Sequence, residues 1–446
     1  MLIKDKFKAI SISLIVSSIL IGCGSSNSSN ETTTKTLSGI AIDPEIQGAT
    51  VFLDLNENGI LDEGEQYTIT DENGLFNLNI SSENFGKPII VQGGVDKVTK
   101  EDFTGQLSVL PQSTQNINIT PLTSLVYQSK KADTSNKSIE EIKNELTSKL
   151  GLSNSNQLDA NTLDEENKEL LQISLQLHKV STFIANNSED NNSISDIYSQ
   201  ISQELLSKNI DLDKAISDTI EKQLTVNSLA YNKAQDLNYE LKSIEVAAIS
   251  PEALALTVNN IQNQIVKTNT KEELEKNLFN IDEIIIDNTE VEVTMAQNAL
   301  CRIGYGNLDQ EIQNQIITSD KINFNTLSLA SIKELIENNS IGLDENTFNQ
   351  LNIEKMINES GLNNLTIEDK KIIKEEFSKV DFNATTSTIE DFKEKLTTEV
   401  LINNQDLQDN IINIQFDNKS DDDNNTDNNT TENNETIQLP NIQGGM

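Results

Sequence analysis

The chain has 446 residues, enough for two or three ordinary domains, and carries 71 Asp and Glu against 33 Lys and Arg, a formal charge of −38. A surface this acidic repels DNA, RNA and anionic lipid, so no nucleic-acid partner is expected, and it attracts divalent cations. Aromatic residues make up 4%, Trp is absent and His178 is the single histidine, so the composition marks neither an aromatic interface patch nor a histidine-rich catalytic centre.

Residues 1–22 read as a targeting segment: Lys4, Lys6 and Lys8 precede the apolar run AISISLIVSSILIG. The run is too short for a committed membrane span. It ends in Leu20-Ile21-Gly22-Cys23, which resembles the bacterial lipobox; the resemblance implies that the Cys23 thiol receives diacylglycerol and becomes the new N-terminus. An ordinary secretory peptide with an unrelated cysteine is the alternative. Residues 23–36 continue as a Ser/Asn/Thr tether that would hold the body off a bilayer. Gly24 carries no acidic retention signal, so the resemblance favours the outer membrane. With Cys23 lipidated, Cys301 lacks a disulfide partner and is expected as a small buried apolar side chain.

From residue 37 to 120 the pattern is period two, or short apolar runs broken by Gly, Asp and Asn: TLSGIAI, ATVFLDL, QYTIT, LFNLNI, KPIIVQGG and NINIT. Short strands at close spacing predict a small antiparallel β-sandwich. Asn73-Gly74 suits a turn between two of them.

Overlapping the end of the second of these runs and reaching the third is DLNENGILDEGE, Asp54 to Glu65. Calcium wants six to eight oxygens, which a twelve-residue loop supplies from positions 1, 3, 5, 9 and 12 and the carbonyl at 7. Those positions are Asp54, Asn56, Asn58, Asp62 and Glu65, with Ile60 at 7. Gly59 sits at 6, where the chain turns sharply, and Leu61 at 8 is an apolar anchor. A plain solvated hairpin is the bland alternative. Three carboxylates and two amides imply a dissociation constant of ~10⁻⁴–10⁻³ M, the range of extracellular modules. No helix pair flanks the loop, so Ca2+ is expected to staple strands and not to open helices.

Near residue 121 the period changes to about 3.6. Ile139, Ile142, Leu146 and Leu150 share a face, as do Ile173, Leu177, Val180 and Ile184, then Ile194, Ile197, Ile201 and Leu205, then Leu254, Val258, Ile261 and Ile265. Capping boxes are expected at Ser138–Glu141, Thr162–Glu165, Thr270–Glu273, Ser331–Glu334 and Ser387–Glu390, with Ser250-Pro251 opening another helix. A mainly helical body over 121–415 follows, without a fixed repeat. Glu283–Met295 is β-rich and could form a strand pair within it. Residues 416–446, rich in Asp, Asn and Thr, lack the apolar content to order and are expected as a disordered tail.

The stretch GIAIDPEIQGATVFLDLNENGILDEGEQYTITDENGLFNLNI resembles the carboxypeptidase regulatory-like and serine-aspartate-repeat B-type β-sandwiches of bacterial surface proteins. The resemblance spans about residues 36–120 and implies a DxNxNGxxDxxE calcium loop joining neighbouring strands. NITPLTSLV and the helical sequence after it resemble the segment that often follows this sandwich in secreted lipoproteins and adhesins. Nothing in that pattern carries catalysis. His178 follows Leu171 and Leu175 on one helical stripe, which reads as a seam-edge histidine, and CRIGYGN reads as a turn. The fold class expected is therefore α+β and multidomain, and the function that of a membrane-anchored calcium-binding surface lipoprotein, not an enzyme, with a protein or glycan partner. A periplasm-facing scaffold or envelope assembly factor is the alternative.

Overall fold

The computed structural model describes residues 33–278, 285–306, 308–362 and 365–411. The targeting segment, Cys23, most of the tether and the tail expected from 416 onward lie outside these residues. Within them the chain is an α+β protein, strands first and helices after, as its sequence pattern predicts.

The strands are β1 (Thr34–Ala41), β2 (Ile46–Gln47), β3 (Thr50–Leu53), β4 (Tyr67–Ile69), β5 (Leu75–Ser81), β6 (Ile89–Gln92), β7 (Val95–Asp96), β8 (Gln106–Val109) and β9 (Ile117–Ile119). They form sheets ordered β5-β1-β9 and β4-β3-β6-β8 and the short pair β2-β7. Pairing is antiparallel except that β9 runs parallel to β1. Gly39 permits that contact, because a Cβ there would stand 1.9 Å from the Ile117 carbonyl oxygen.

Alternation along β5 buries Phe76, Leu78 and Ile80 while Leu75, Asn77 and Asn79 face outward. These three join Leu37, Val51, Leu53, Val91 and Ile117 in the core between the sheets. β3 breaks the alternation, since Val51, Phe52 and Leu53 are all buried. Its sheet is covered on both faces: Phe52 and Ile90 turn away from the sandwich core and pack with Tyr127 of the first helix. β8 was not expected; its Ser108 is buried where an alternating strand facing water would have been recognised.

The first helices are α1 (Pro121–Ala132), α2 (Ile139–Lys149), α3 (Lys168–Asn187), α4 (Ile194–Ser207), α5 (Leu212–Gln223), α6 (Leu229–Ser243), α7 (Pro251–Lys267) and α8 (Lys271–Leu278). The four apolar stripes expected from spacing all face one continuous core, Ile139 and Ile173 at its edge. α1 starts directly after β9: Thr120 caps it in a reciprocal box with Thr123, and Pro121 takes the first position. The Thr123 hydroxyl donates to the Ser108 carbonyl (2.9 Å), and the Ser108 N–H donates to the Ser124 hydroxyl (2.8 Å). Sandwich and helical body are thus hydrogen-bonded to each other.

Then come α9 (Val291–Arg302), α10 (Gln310–Ile317), α11 (Leu329–Glu337), α12 (Glu345–Ile357), α13 (Ile367–Phe377) and α14 (Ile389–Lys395). They fill two further cores, one around Phe324 and Ile332 and one around Phe382 and Phe392. The phenylalanines Phe324 and Phe382 stand in the similar stretches INFN and VDFN, each before a capped helix.

Several expectations need correction. The strand pair expected over Glu283–Met295 is, in its described part, a turn at 288–290 followed by α9. Met295, Ala296, Ala299 and Leu300 make a helical stripe that packs inward while Val293 stays exposed, so tertiary packing overrode local β propensity. The boxes Ser331–Glu334 and Ser387–Glu390 shift to caps at Ser328 and Thr388, because the apolar stripes Ile332/Ile336 and Phe392/Leu396 set where those helices begin. Glu165 opens only a short 3₁₀ turn without a side-chain cap at Asp164. The Thr270 hydroxyl accepts from Glu273 N–H, but the Glu273 carboxylate returns to Asn269. The boxes at Ser138 and the Ser250-Pro251 start form as expected. Cys301 is exposed, not buried, since it lies off the α9 stripe.

Candidate metal centre

Asp54–Glu65 connects β3 to its antiparallel neighbour β4, so the loop closes a hairpin and not a helix pair. Asp54 is fully buried, and its two carboxylate oxygens accept the N–H groups of Asn58 (3.2 Å) and Gly59 (2.8 Å). Glu65 closes the far end, one oxygen accepting Leu55 N–H (2.7 Å) and the other Asp62 N–H (3.0 Å). Asp62 receives the amide groups of Asn56 (2.7 Å) and Asn58 (2.8 Å) on one oxygen. Gly59 holds φ +76°, the left-handed conformation that lets the chain double back there.

The five side chains named from the sequence are therefore linked to one another or to the loop's own N–H groups; the Ile60 side chain is exposed and only its carbonyl is a candidate ligand. The donor set consists of oxygens alone, which fits a hard divalent cation. Asn56 and Asn58 present nitrogen to Asp62, so each amide would turn about its last torsion to offer oxygen to an ion. Among the described residues no group of three or more His, Cys, Asp and Glu side chains stands in a metal-holding arrangement. In this loop half the donors are amides and a carbonyl.

Tertiary contacts brace the loop in a way its sequence does not reveal. Leu61 packs against the Phe52, Ile90 and Tyr127 cluster. The Lys131 ammonium, at the end of α1, donates to the Glu57 carbonyl (2.9 Å), and the Gln106 amide of β8 donates to the Gly59 carbonyl. One side of the loop thus belongs to the sandwich and the other to the helical body.

A second polar cluster lies at the same junction. His178 on α3 is buried, stacked on Phe103 with ring centroids 5.1 Å apart, and not at a seam edge. Its Nδ1 is 3.3 Å from the Tyr198 hydroxyl and its Nε2 3.4 Å from Asp43. Both Asp43 oxygens and one Asp96 oxygen lack hydrogen-bond partners. Burial pushes the Asp43 carboxyl up to about 8 against the opposing pull of Lys179, and Asp96 up to about 6. Burial, with Lys179 alongside, pushes His178 down to about 3. The imidazole and the Asp43 carboxyl are thus both neutral near pH 7. The cavity beside them is about 30 Å³, room for a water molecule but not for a substrate.

Among the described residues no helix is long and apolar enough to cross a membrane. No protein-family model, curated protein or solved structure matches the chain.

Proposed function

We propose that this chain is a lipid-anchored, calcium-binding module of a bacterial envelope that works by binding a partner, a protein or a glycan, and not by catalysis. Calcium at Asp54, Asn56, Asn58, Ile60, Asp62 and Glu65 fixes the angle between the sandwich and the helical body. The observation that carries this reading is the position of the loop: Leu61 and the Glu57 carbonyl are both held by α1, so stiffening the loop stiffens the joint. When bound, the ion offsets the mutual repulsion of three carboxylates, which the loop's own N–H groups and amides meet only in part. The pattern Leu20–Cys23 and the polar tether support the anchor.

The test is thermal unfolding and amide exchange of the full chain in calcium raised to about 100 mM and in chelator. At free calcium about a hundred times the dissociation constant, the folded form gains about 2.7 kcal/mol. Exchange should slow in 54–65 and in α1 together, and Glu65→Gln should blunt both effects by removing one carboxylate charge. An unchanged melting temperature at about 100 mM calcium, a hundred times the weakest dissociation constant expected, refutes the proposal.

A further inference from the structure

A cleft of about 430 Å³ opens between the candidate calcium loop, α1 and the start of α4. Asn58 and Gly59 form one wall, Tyr127, Gln128 and Lys131 the second, and Ser195 the third. We propose that this cleft binds a neutral polyol the size of a mono- or disaccharide. The inference deepens the binding role proposed above, and its calcium dependence rests on that reading of the loop.

The volume lies in the range of small-molecule sites. Hydroxyl and amide side chains are interleaved in the lining with carbon surface that includes Ile60 and Ile90, and Gln128 already donates to the Ser195 hydroxyl (2.6 Å), a pair that can extend its hydrogen bonds to ligand hydroxyls. Tyr127 borders the cleft, while its hydroxyl, without a protein partner, is closed off from the open space. Other ligand classes fit worse. Asp54 and Asp196 share the walls with a single cation, Lys131, and the chain carries −38, so anions are repelled. A purely apolar ligand would strand the polar lining. Because the loop is itself a wall and Asn58 belongs to both sites, ion and ligand are coupled, each changing the other's affinity by the same factor.

The test is calorimetric titration of the full chain with glucose, galactose, N-acetylglucosamine, maltose and lactose to about 100 mM, in calcium and in chelator, with calcium titrated separately. Binding of at least one sugar is expected, weakened about tenfold by Gln128→Ala and by Ser195→Ala. Tyr127→Phe should leave the melting temperature unchanged or higher, since it removes an unsatisfied buried hydroxyl. Calcium binding without any sugar binding overturns the cleft and leaves the loop proposal standing. Sugar binding that ignores calcium, with no calcium heat, supports the cleft and refutes the loop. Binding of free glycine or alanine in place of sugars overturns the ligand class.

Discussion

Asp43→Asn should stabilise the protein, and by an amount that grows with pH. The perturbation replaces a carboxyl that is buried at the sandwich–helix junction, with both oxygens unpartnered, by a neutral group of nearly the same shape. Its folded pKa is raised to about 8 from 3.8, chiefly by burial. A raised carboxyl binds its proton more tightly in the folded state, so the wild type suffers no penalty below pH 3.8, loses stability as pH climbs, and bears the full cost above 8. Each unit costs about 1.4 kcal/mol, on the order of 4 kcal/mol between pH 5 and 8. Asp96 titrates in the same sense over a narrower window ending near 6, whereas His178, pushed down to about 3, opposes both as pH falls below 6.5. Comparing wild type with Asp43→Asn removes their independent shares, while the Asp96 charge, which helps push the Asp43 carboxyl up, is part of the difference read. Urea unfolding followed by circular dichroism at pH 5, 6.5, 8 and 9 reads the difference directly. A gap between the two proteins that stays constant from pH 5 to 9 would refute the buried neutral carboxyl.

Other expectations are simpler to check. Gly39→Ala would drive its Cβ to 1.9 Å from the Ile117 carbonyl oxygen and should cost about 3 kcal/mol or more, the upper end for overpacking; a melting temperature within a degree of wild type would contradict the parallel β1–β9 contact. Cys301, exposed and free of a disulfide, should react with a maleimide in the native protein as readily as in urea, and slow native labelling would contradict its exposure. Cys23→Ser should release the protein from membranes or leave the uncleaved precursor, read by fractionation and mass spectrometry; an unaltered mature mass would argue against lipidation. In the anchored wild type, protease treatment of intact cells then separates the surface from the periplasmic orientation.

Local chemistry was legible in the sequence. Period two located β1, β3, β4, β5, β6 and β9; period 3.6 located the faces of α2, α3, α4 and α7; spacing alone named Asp54, Asn56, Asn58, Ile60, Asp62 and Glu65 as one loop. Each of these signals is short in range, because alternation, helical stripes and loop positions are set by neighbours along the chain. What required the folded molecule was every pairing between distant segments. No residue near Gly39 announces that β9 lies parallel to it. Phe52 and Ile90 look like strand residues of a two-layer sandwich until Tyr127 covers them from α1. The bracing of the loop by Lys131 and Gln106, and the meeting of Asp43 with His178 and Tyr198, join residues far apart in sequence. In the same way packing, not propensity, made Val291–Arg302 a helix and left Cys301 in solvent. Contacts of that kind are selected by how much apolar surface the whole chain can bury at once, a quantity that no local window of sequence contains.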